Sequence, residues 1–394
     1  MTEILIVAGE PSGDQLGGEF VEAAVRMRPD LRFFGATGTE LEAAGVERVV
    51  ATAELSAMGL TEVVSRLPAA WRALSRLTLE AERRGAAGAI LIDSPDFNLR
   101  LAGRLARRGI PAVQYVGPTV WAWRPGRVRT LERAVRRLLV TLPFEPAVYA
   151  GTGVDAVYVG NPAVDRVPAE PPPRREVARA LGADPSVPWV GLLPGSREAE
   201  LRRLGPVFAE AAARIRGAVP AVEFVAPVAP GVHPETVARL LTPAATRFAG
   251  AQAGISPPVR LADRDRYAAL AHCEAAIAAS GTISLELALL GVPHVVAYRV
   301  SRVTWGVARL LVDVDHLALP NLIAGRRVVP ELLQAAATPD ALAAPVVTWL
   351  TDSGARRAVQ RGLAEVREAL GPSGVARRAA RAALEALGLP PSLA

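Results

Sequence analysis

The sequence predicts an α/β protein built from two doubly wound domains that face a cleft, and three observations predict it. Short apolar runs bounded by turns alternate with helical patterns along most of the chain, as parallel strands covered on both faces do. The alternation is interrupted once, by NPAVDRVPAEPPPR at 161–174, where proline density forbids regular structure and a linker is expected. The 394 residues are also too many for one ordinary core. The expected division is a first domain at 1–165, a linker at 166–174, a second domain at 175–352 and terminal helices at 353–394.

Taken in order, the first strand is Glu3–Ala8, an apolar run with an acidic residue ahead of it and a glycine-rich turn after it, which reads as a buried strand and not as a signal peptide. Strands follow at Leu31–Gly35, Gly88–Asp93, Pro111–Val116, Arg137–Thr141 and Ala156–Val159. Between them come helices at Asp14–Met27, Leu60–Arg84, Phe97–Arg108 and Gly126–Arg136, with a short one from Pro146. Beyond the linker the expected strands are Trp189–Leu193, Val222–Ala226, Ala275–Ala279 and His294–Tyr298. The helices there are Ala199–Arg216, Pro234–Leu241, Leu261–His272 and Ile283–Leu290. Helices rich in Ala, Leu, Arg and Glu close the chain at Pro339–Leu350, Gly354–Leu370 and Val375–Leu387.

Composition excludes several functions. Apolar residues make up 51% of the chain, yet no uncharged run is long enough to span a bilayer. The lone Cys273 excludes an internal disulfide and suits a reducing cytoplasm. All 45 basic residues are arginine and the net charge is +6, but no basic run is interleaved with aromatics, so no nucleic-acid partner is expected. Anionic small molecules or an anionic membrane surface fit better. His233, His272, His294 and His316 show no ligand spacing, so neither metal nor cofactor is expected, and no nucleophile elbow is present.

Several turns carry chemistry instead. Ser280-Gly281-Thr282 joins a strand to a helix, and such a turn offers backbone N–H groups and the positive end of a helix dipole to an anion such as a pyrophosphate. Glu286, one turn on, is placed to accept from a ribose diol. A plain strand-helix unit with a Ser/Thr cap explains the same residues. Leu193-Pro194-Gly195-Ser196-Arg197 repeats the arrangement with a guanidinium added, and two such turns in one domain favour a nucleotide diphosphate. In the first domain, Gly9–Asp14 is neither a P-loop nor a dinucleotide fingerprint, and Ser12 beside Gly13 either caps the helix or donates to a phosphate. Asp93 and Asp96 leave a strand at its carboxyl end; Asp96 is the preferred general base, with a helix cap as its alternative, while Asp93 braces the loop. Trp121 and Trp123 serve either a sugar or acyl group or the core.

These stretches together resemble the lipid-A-disaccharide synthase family of inverting glycosyltransferases. The resemblance rests on AGEPSGDQLGG (8–18), SAMGLTEVV (56–64), DSPDFNLRLA (93–102), YVGPTVWAWRPGRV (115–128) and LPFEP (142–146). It continues through LLPGSREAE (192–200), ASGTISLELALLGVPHVVAYR (279–299) and LALPNLIAGRRVVPELLQ (317–334). It implies a glycosyltransferase-B-like fold of two Rossmann-like domains and metal-independent transfer of a diacylglucosamine from its UDP donor to a diacylglucosamine 1-phosphate. A β-1,6 disaccharide and UDP would result. It further implies that Asp96, Arg197 and Asn321 are catalytic, and that Gly195, Ser196, Ser280, Gly281, Thr282, Glu286 and Tyr298 hold the nucleotide sugar. Ser12, Gly13, Met58, Val63, Val64, Trp121 and Trp123 would meet the acceptor. A homodimer with exchanged C-terminal segments, peripheral on the inner face of the cytoplasmic membrane, is implied as well. Two departures stand out: Asn161 where many members carry His, and Ile283-Ser284 where two alanines are common. A transferase for another lipid acceptor, a UDP-sugar 2-epimerase and a non-catalytic UDP-sugar or lipid binder are the alternatives.

Overall fold

The computed structural model describes the chain except residues 57–62, 230–231, 242–258, 263–264, 302–304, 307–313 and 392–394. It divides into two compact units, Met1–Pro162 with Pro372–Ala394, and Ala163–Gly371.

The first unit is a parallel sheet of β1 (Thr2–Ala8), β2 (Leu31–Thr37), β3 (Glu47–Ala51), β4 (Gly88–Ile92), β5 (Ala112–Tyr115), β6 (Arg137–Val140) and β7 (Ala156–Tyr158). The order across the sheet is β3-β2-β1-β4-β5-β6-β7. Alternation along β1 shows why the strands read as continuous apolar runs. Ile4, Ile6 and Ala8 enter the core on one face, and Leu5 and Val7 enter the core on the other. On the first face Phe20 and Ala24 of the helix Pro11–Met27 share a core with Ala379, Ala383 and Leu384 of the last helix, Val375–Ala386. The opposite face is covered by the helices Val63–Arg83 and Pro95–Ala106, through Leu74, Leu77, Leu101 and Leu105.

The second unit repeats the plan with β8 (Trp189–Leu193), β9 (Glu223–Pro227), β10 (Val259–Ala262), β11 (Ala275–Ala279), β12 (His294–Tyr298) and β13 (Glu331–Leu333), ordered β10-β9-β8-β11-β12-β13. Ala275, Ile277 and Ala279 of β11 pack with Phe208 of the helix Glu198–Ala218 and Trp349 of the helix Pro339–Thr351. Ala276 and Ala278 face Trp189, Leu270 and Leu287. The helix Ser353–Leu370 adds Leu363, Val366 and Leu370 to a third cluster with Leu285 and Leu289.

The structure departs from expectation in several places. Glu47–Ala51 and Glu331–Leu333 are edge strands that had not been foreseen. The helix expected over Leu261–His272 is instead the strand Val259–Ala262 followed by a helix Arg266–Ala271, whose Asp265 cap accepts from Ala268 N–H at 3.2 Å. The proline-dense stretch holds a one-turn helix at Ala163–Arg166 before its irregular part. The two terminal helices, grouped together by sequence, separate: Ser353–Leu370 belongs to the second unit and Val375–Ala386 to the first.

Candidate functional site

In both sheets the chain reverses its direction of winding between the first strand and the fourth, at β1/β4 and at β8/β11. Loops leaving adjacent strands part there, so a crevice opens at their carboxyl ends. The turns after β1, β4, β8 and β11 singled out in the sequence lie at these two points, while the Trp121 and Trp123 stretch follows β5, next to β4 in the sheet.

In the second unit, the turn after β8 and the turn after β11 line one cavity of about 300 Å³, together with Pro227 and Ala229 after β9 and with Arg266 and Glu286. The two turns differ in a way that decides what each can bind. At the first, Ser196 and Arg197 donate their backbone N–H groups to Glu200 Oε2 at 3.3 and 3.4 Å, so the helix Glu198–Ala218 is capped by its own carboxylate. Gly195 sits there at φ +121°, and a Cβ in its place would lie 2.6 Å from Glu200 Oε2. At the second turn the cap residue is Gly281, and no side chain caps the helix Thr282–Leu289. Ser284 Oγ turns back to Gly281 O at 2.8 Å. The N-terminus at Gly281–Ile283 therefore presents uncapped amides to the cavity, which is what an anion requires.

Glu286 is buried one turn further along. Its Oε1 accepts from Arg266 Nη2 at 3.2 Å and from Tyr267 OH at 3.1 Å, while Arg266 also donates to Tyr267 OH at 2.8 Å. Burial and the neighbouring Glu286 charge push the Tyr267 phenol up. No described residue donates to Glu286 Oε2, which leaves that oxygen for a ligand hydroxyl. Arg197 extends from the other turn with its side chain 77% exposed, 3.9 Å from Glu200 Oε1.

In the first unit, Asp96 is in the first turn of the helix Pro95–Ala106, and the cap position belongs to Ser94. The exposed Asp96 carboxylate is bound by Arg127, only 14% exposed, and more loosely by Arg124 at 3.5 Å. Both guanidiniums lie over the Trp123 ring, 4.2 Å away for Arg124 and 5.4 Å for Arg127. Asp96, the two arginines and Trp123 thus form one cluster. Trp121 stands apart, edge-on to Phe144 at 5.3 Å with its N–H toward the buried Glu145. Burial raises the Glu145 carboxyl.

Asp93 and Ser94 both have left-handed backbones, φ +51° and +41°. Asn98 and Gln114, fully buried, each donate to Asp93 O, at 2.8 and 3.0 Å, and fix the loop from below. Burial pushes the Asp93 carboxyl up. Gly9 from the β1 loop closes on this corner, since a Cβ there would meet Ser94 Oγ at 2.2 Å. In the same loop Ser12 is exposed and Gly13 buried, and Asp14 is turned inward to accept from Gly38 N at 2.6 Å and Glu40 N at 2.9 Å.

Other predicted residues lie elsewhere. Tyr298 ends β12, paired with Leu333, and does not line the cavity. Asn321 is fully buried and its amide is fully used. It donates to Val329 O at 2.9 Å and Glu331 Oε1 at 2.6 Å, and accepts from Val328 N at 2.7 Å and Val329 N at 2.9 Å. In this chain Asn321 ties down the segment leading into β13. Met58 lies outside the described residues, as do the side chains of Val63 and Val64.

The profile of the family described as lipid-A-disaccharide synthetase matches residues 4–386. The chain belongs to the lipid-A-disaccharide synthetase family. The lipid-A-disaccharide synthase of Myxococcus xanthus is 44% identical over 384 residues, 98% of this chain and 97% of the relative. That of Anaeromyxobacter dehalogenans strain 2CP-1 is 42% identical over 382 residues, 97% of each chain. Among solved structures, the glycotransferase of kitacinnamycin superposes with a TM-score of 0.63 at 18% identity, covering 98% of both chains. The last likeness speaks to the fold alone, two parallel α/β sheets of the glycosyltransferase-B kind.

Within this family frame, three residues that build the site were missed from sequence. Glu200 was visible only as one acid among several at the start of a helix, Arg266 lay in a stretch assigned to the middle of a helix, and Arg127 sat within a motif read for its tryptophans. A carboxylate three residues after a turn arginine is a capping-box spacing, and it was the one available signal.

Proposed function

We propose that the chain acts as a lipid-A-disaccharide synthase, transferring a 2,3-diacylglucosamine from its UDP donor to 2,3-diacylglucosamine 1-phosphate and releasing UDP. The observation that carries the donor half is the uncapped N-terminus at Gly281–Ile283 with Glu286 one turn behind it. Those amides and the exposed Arg197 are the donors that would receive the diphosphate as its charge grows during departure. Glu286 would take the ribose hydroxyls. On the first unit Asp96 would accept the proton of the acceptor's 6-hydroxyl, the hydroxyl oxygen forming the new glycosidic bond as the bond from the anomeric carbon to the diphosphate breaks. Arg127 and Arg124 orient Asp96 through direct contacts.

Membrane contact belongs to the same reading. No described helix is long and apolar enough to cross a bilayer. The helix Val63–Arg83 nevertheless exposes Trp71 at 52% and Leu79 at 60%, with Arg72 and Arg76 between them, which suits an acyl-bearing, anionic surface.

Purified protein with labelled UDP-diacylglucosamine tests the proposal, with the phosphorylated acceptor added or withheld. Acceptor-dependent UDP release with a disaccharide product is expected. Free sugar formed without acceptor would identify an epimerase or hydrolase, and binding without any product a carrier. Asp96→Asn should lower turnover by about 10²–10⁴-fold with UDP affinity unchanged; near-normal turnover would remove Asp96 from the role of base.

A further inference from the structure

The helix Pro95–Ala106, with its C-cap Arg107, carries more positive charge than Asp96 in its first turn uses. Arg100, Arg104 and Arg107 follow at intervals of four and three residues along one stripe and, with Arg127, line a cavity of about 480 Å³. Among the described residues Asp96 is the one carboxylate that lines the cavity, and it is already engaged by Arg127 and Arg124. Among the described residues no carboxylate pairs with the other three. Arg104 donates to Ser75 Oγ at 3.2 Å, and Arg107 to the backbone O of Gly103 at 3.1 Å. The neighbouring Arg108, on another side of the chain, does find an acid, Glu82 at 3.0 Å. Like charges one helical turn apart repel each other. Three guanidiniums around one cavity, none neutralised by a described carboxylate, favour an anion there.

The cavity also specifies what the anion is attached to. Trp71 forms one wall, half exposed, with Arg104 4.9 Å above its ring. Leu74 and Leu99 are apolar parts of the same lining. An inorganic ion has no use for such a wall, whereas a phosphate carried on a sugar with acyl substituents does. Arg100 lies one turn from Asp96, about 6 Å along the axis. A hexopyranose carries its anomeric phosphate on C1 and its 6-hydroxyl on the arm at C5, the two carbons that flank the ring oxygen, so one edge of the sugar presents both groups together.

We propose that Arg100 and Arg104 hold the phosphomonoester of the acceptor, with Arg107 reinforcing the field, while the acceptor's hydroxyl reaches Asp96. This assignment rests on the transferase reading above and deepens its acceptor half.

The test is a binding measurement, independent of turnover. Equilibrium dialysis in neutral detergent compares short-chain diacylglucosamine 1-phosphate with its dephosphorylated counterpart on the full-length protein. The proteins are wild type, Arg100→Gln/Arg104→Gln, the corresponding double Lys variant, and the remote charge control Arg26→Gln. The phosphate should strengthen wild-type and control binding by about 10–100-fold, as charge-assisted bonds do. The double Gln variant should lose that preference while binding the dephosphorylated ligand like wild type, and the Lys pair should restore part of it. An undiminished preference in the double Gln variant overturns the proposal, as does a wild type indifferent to the phosphate. If the Gln pair fails to fold, Arg107→Gln and the Lys pair carry the same comparison. Vesicles of phosphatidylglycerol and of phosphatidylcholine separate the other source of the same chemistry. A double Gln variant that loses phosphatidylglycerol binding yet keeps its preference in detergent marks a headgroup-docking face and overturns the subsite. A wild type that prefers the phosphorylated acceptor but forms no disaccharide refutes the transferase reading and leaves the subsite standing.

Discussion

Glu286→Gln isolates the ribose contact. The carboxylate is 6% exposed, and both of its internal bonds fall on Oε1. A glutamine side-chain oxygen still accepts from Arg266 and Tyr267, so the substitution removes charge with little change in shape. A hydrogen bond from a ribose hydroxyl to a carboxylate contributes about 1.5–3 kcal/mol, whereas the glutamine NH2 that takes the place of Oε2 can only donate to a ribose oxygen, a neutral bond of about 0.5–1.5 kcal/mol. The difference of about 1–2 kcal/mol corresponds to UDP binding weakened about 5–30-fold. Glu286→Ala loses the bond altogether and leaves Arg266 without its counter-charge, so a loss of about 30–150-fold is expected there. Isothermal titration with UDP and with 2′,3′-dideoxy-UDP assigns the effect. Wild type should favour UDP strongly, and the alanine variant should bind the two ligands alike. If Glu286→Ala keeps the folded state and still discriminates between them as wild type does, Glu286 does not read the ribose.

Two further expectations concern stability. Asn321→Ala strands two backbone N–H groups, one carbonyl and Glu331, and should lower unfolding free energy by about 3–5 kcal/mol. Urea midpoints would show this, with turnover per folded molecule unchanged; lost turnover at full stability would show that Asn321 acts in the chemistry. His294 is fully buried, its Nδ1 toward Val292 O at 2.9 Å and its Nε2 without a partner, and burial depresses it from 6.5 to about 4. The folded state therefore refuses a proton that the unfolded chain accepts. The neutral imidazole's contribution is complete above about pH 6.5 and falls away toward pH 4, by up to about 3 kcal/mol. Urea denaturation of His294→Leu at pH 4.5 and 7 should show a smaller acid loss than wild type, and an identical loss would show that His294 takes up a proton as readily in the folded as in the unfolded chain.

The central strands were legible because their residues are buried on both faces: Leu5 and Ile6, or Ala276 and Ile277, cannot be mistaken for surface. The edge strand Glu47–Ala51 hid because only one side packs and its first two residues are exposed. The strand Val259–Ala262 lost its second half, Leu261 and Ala262, to the expected helix because the Asp265 cap that separates the two elements is a side-chain event. The same holds at the site. Turns with glycine and serine announced themselves, but whether their amides stay open depends on a carboxylate reaching back: Glu200 reaches Ser196 and Arg197, while no side chain caps the Gly281 turn. The family resemblance pointed to Asn321, and only the three-dimensional course of residues 328–331 shows which groups its amide binds.

The assignment of Val375–Ala386 to the first unit bears on how the protein is made. Phe20 and Ala24 complete their packing only with Ala379, Ala383 and Leu384, residues from the far end of the chain. On a ribosome the second unit, Ala163–Gly371, emerges whole before that helix does. The unit translated first is thus the one finished last, waiting with one flank of its sheet incompletely covered until the helix Val375–Ala386 emerges. A fragment cut at Pro162 would keep that flank bare permanently, and trimming the last 23 residues would injure the opposite end of the sequence rather than its own neighbourhood.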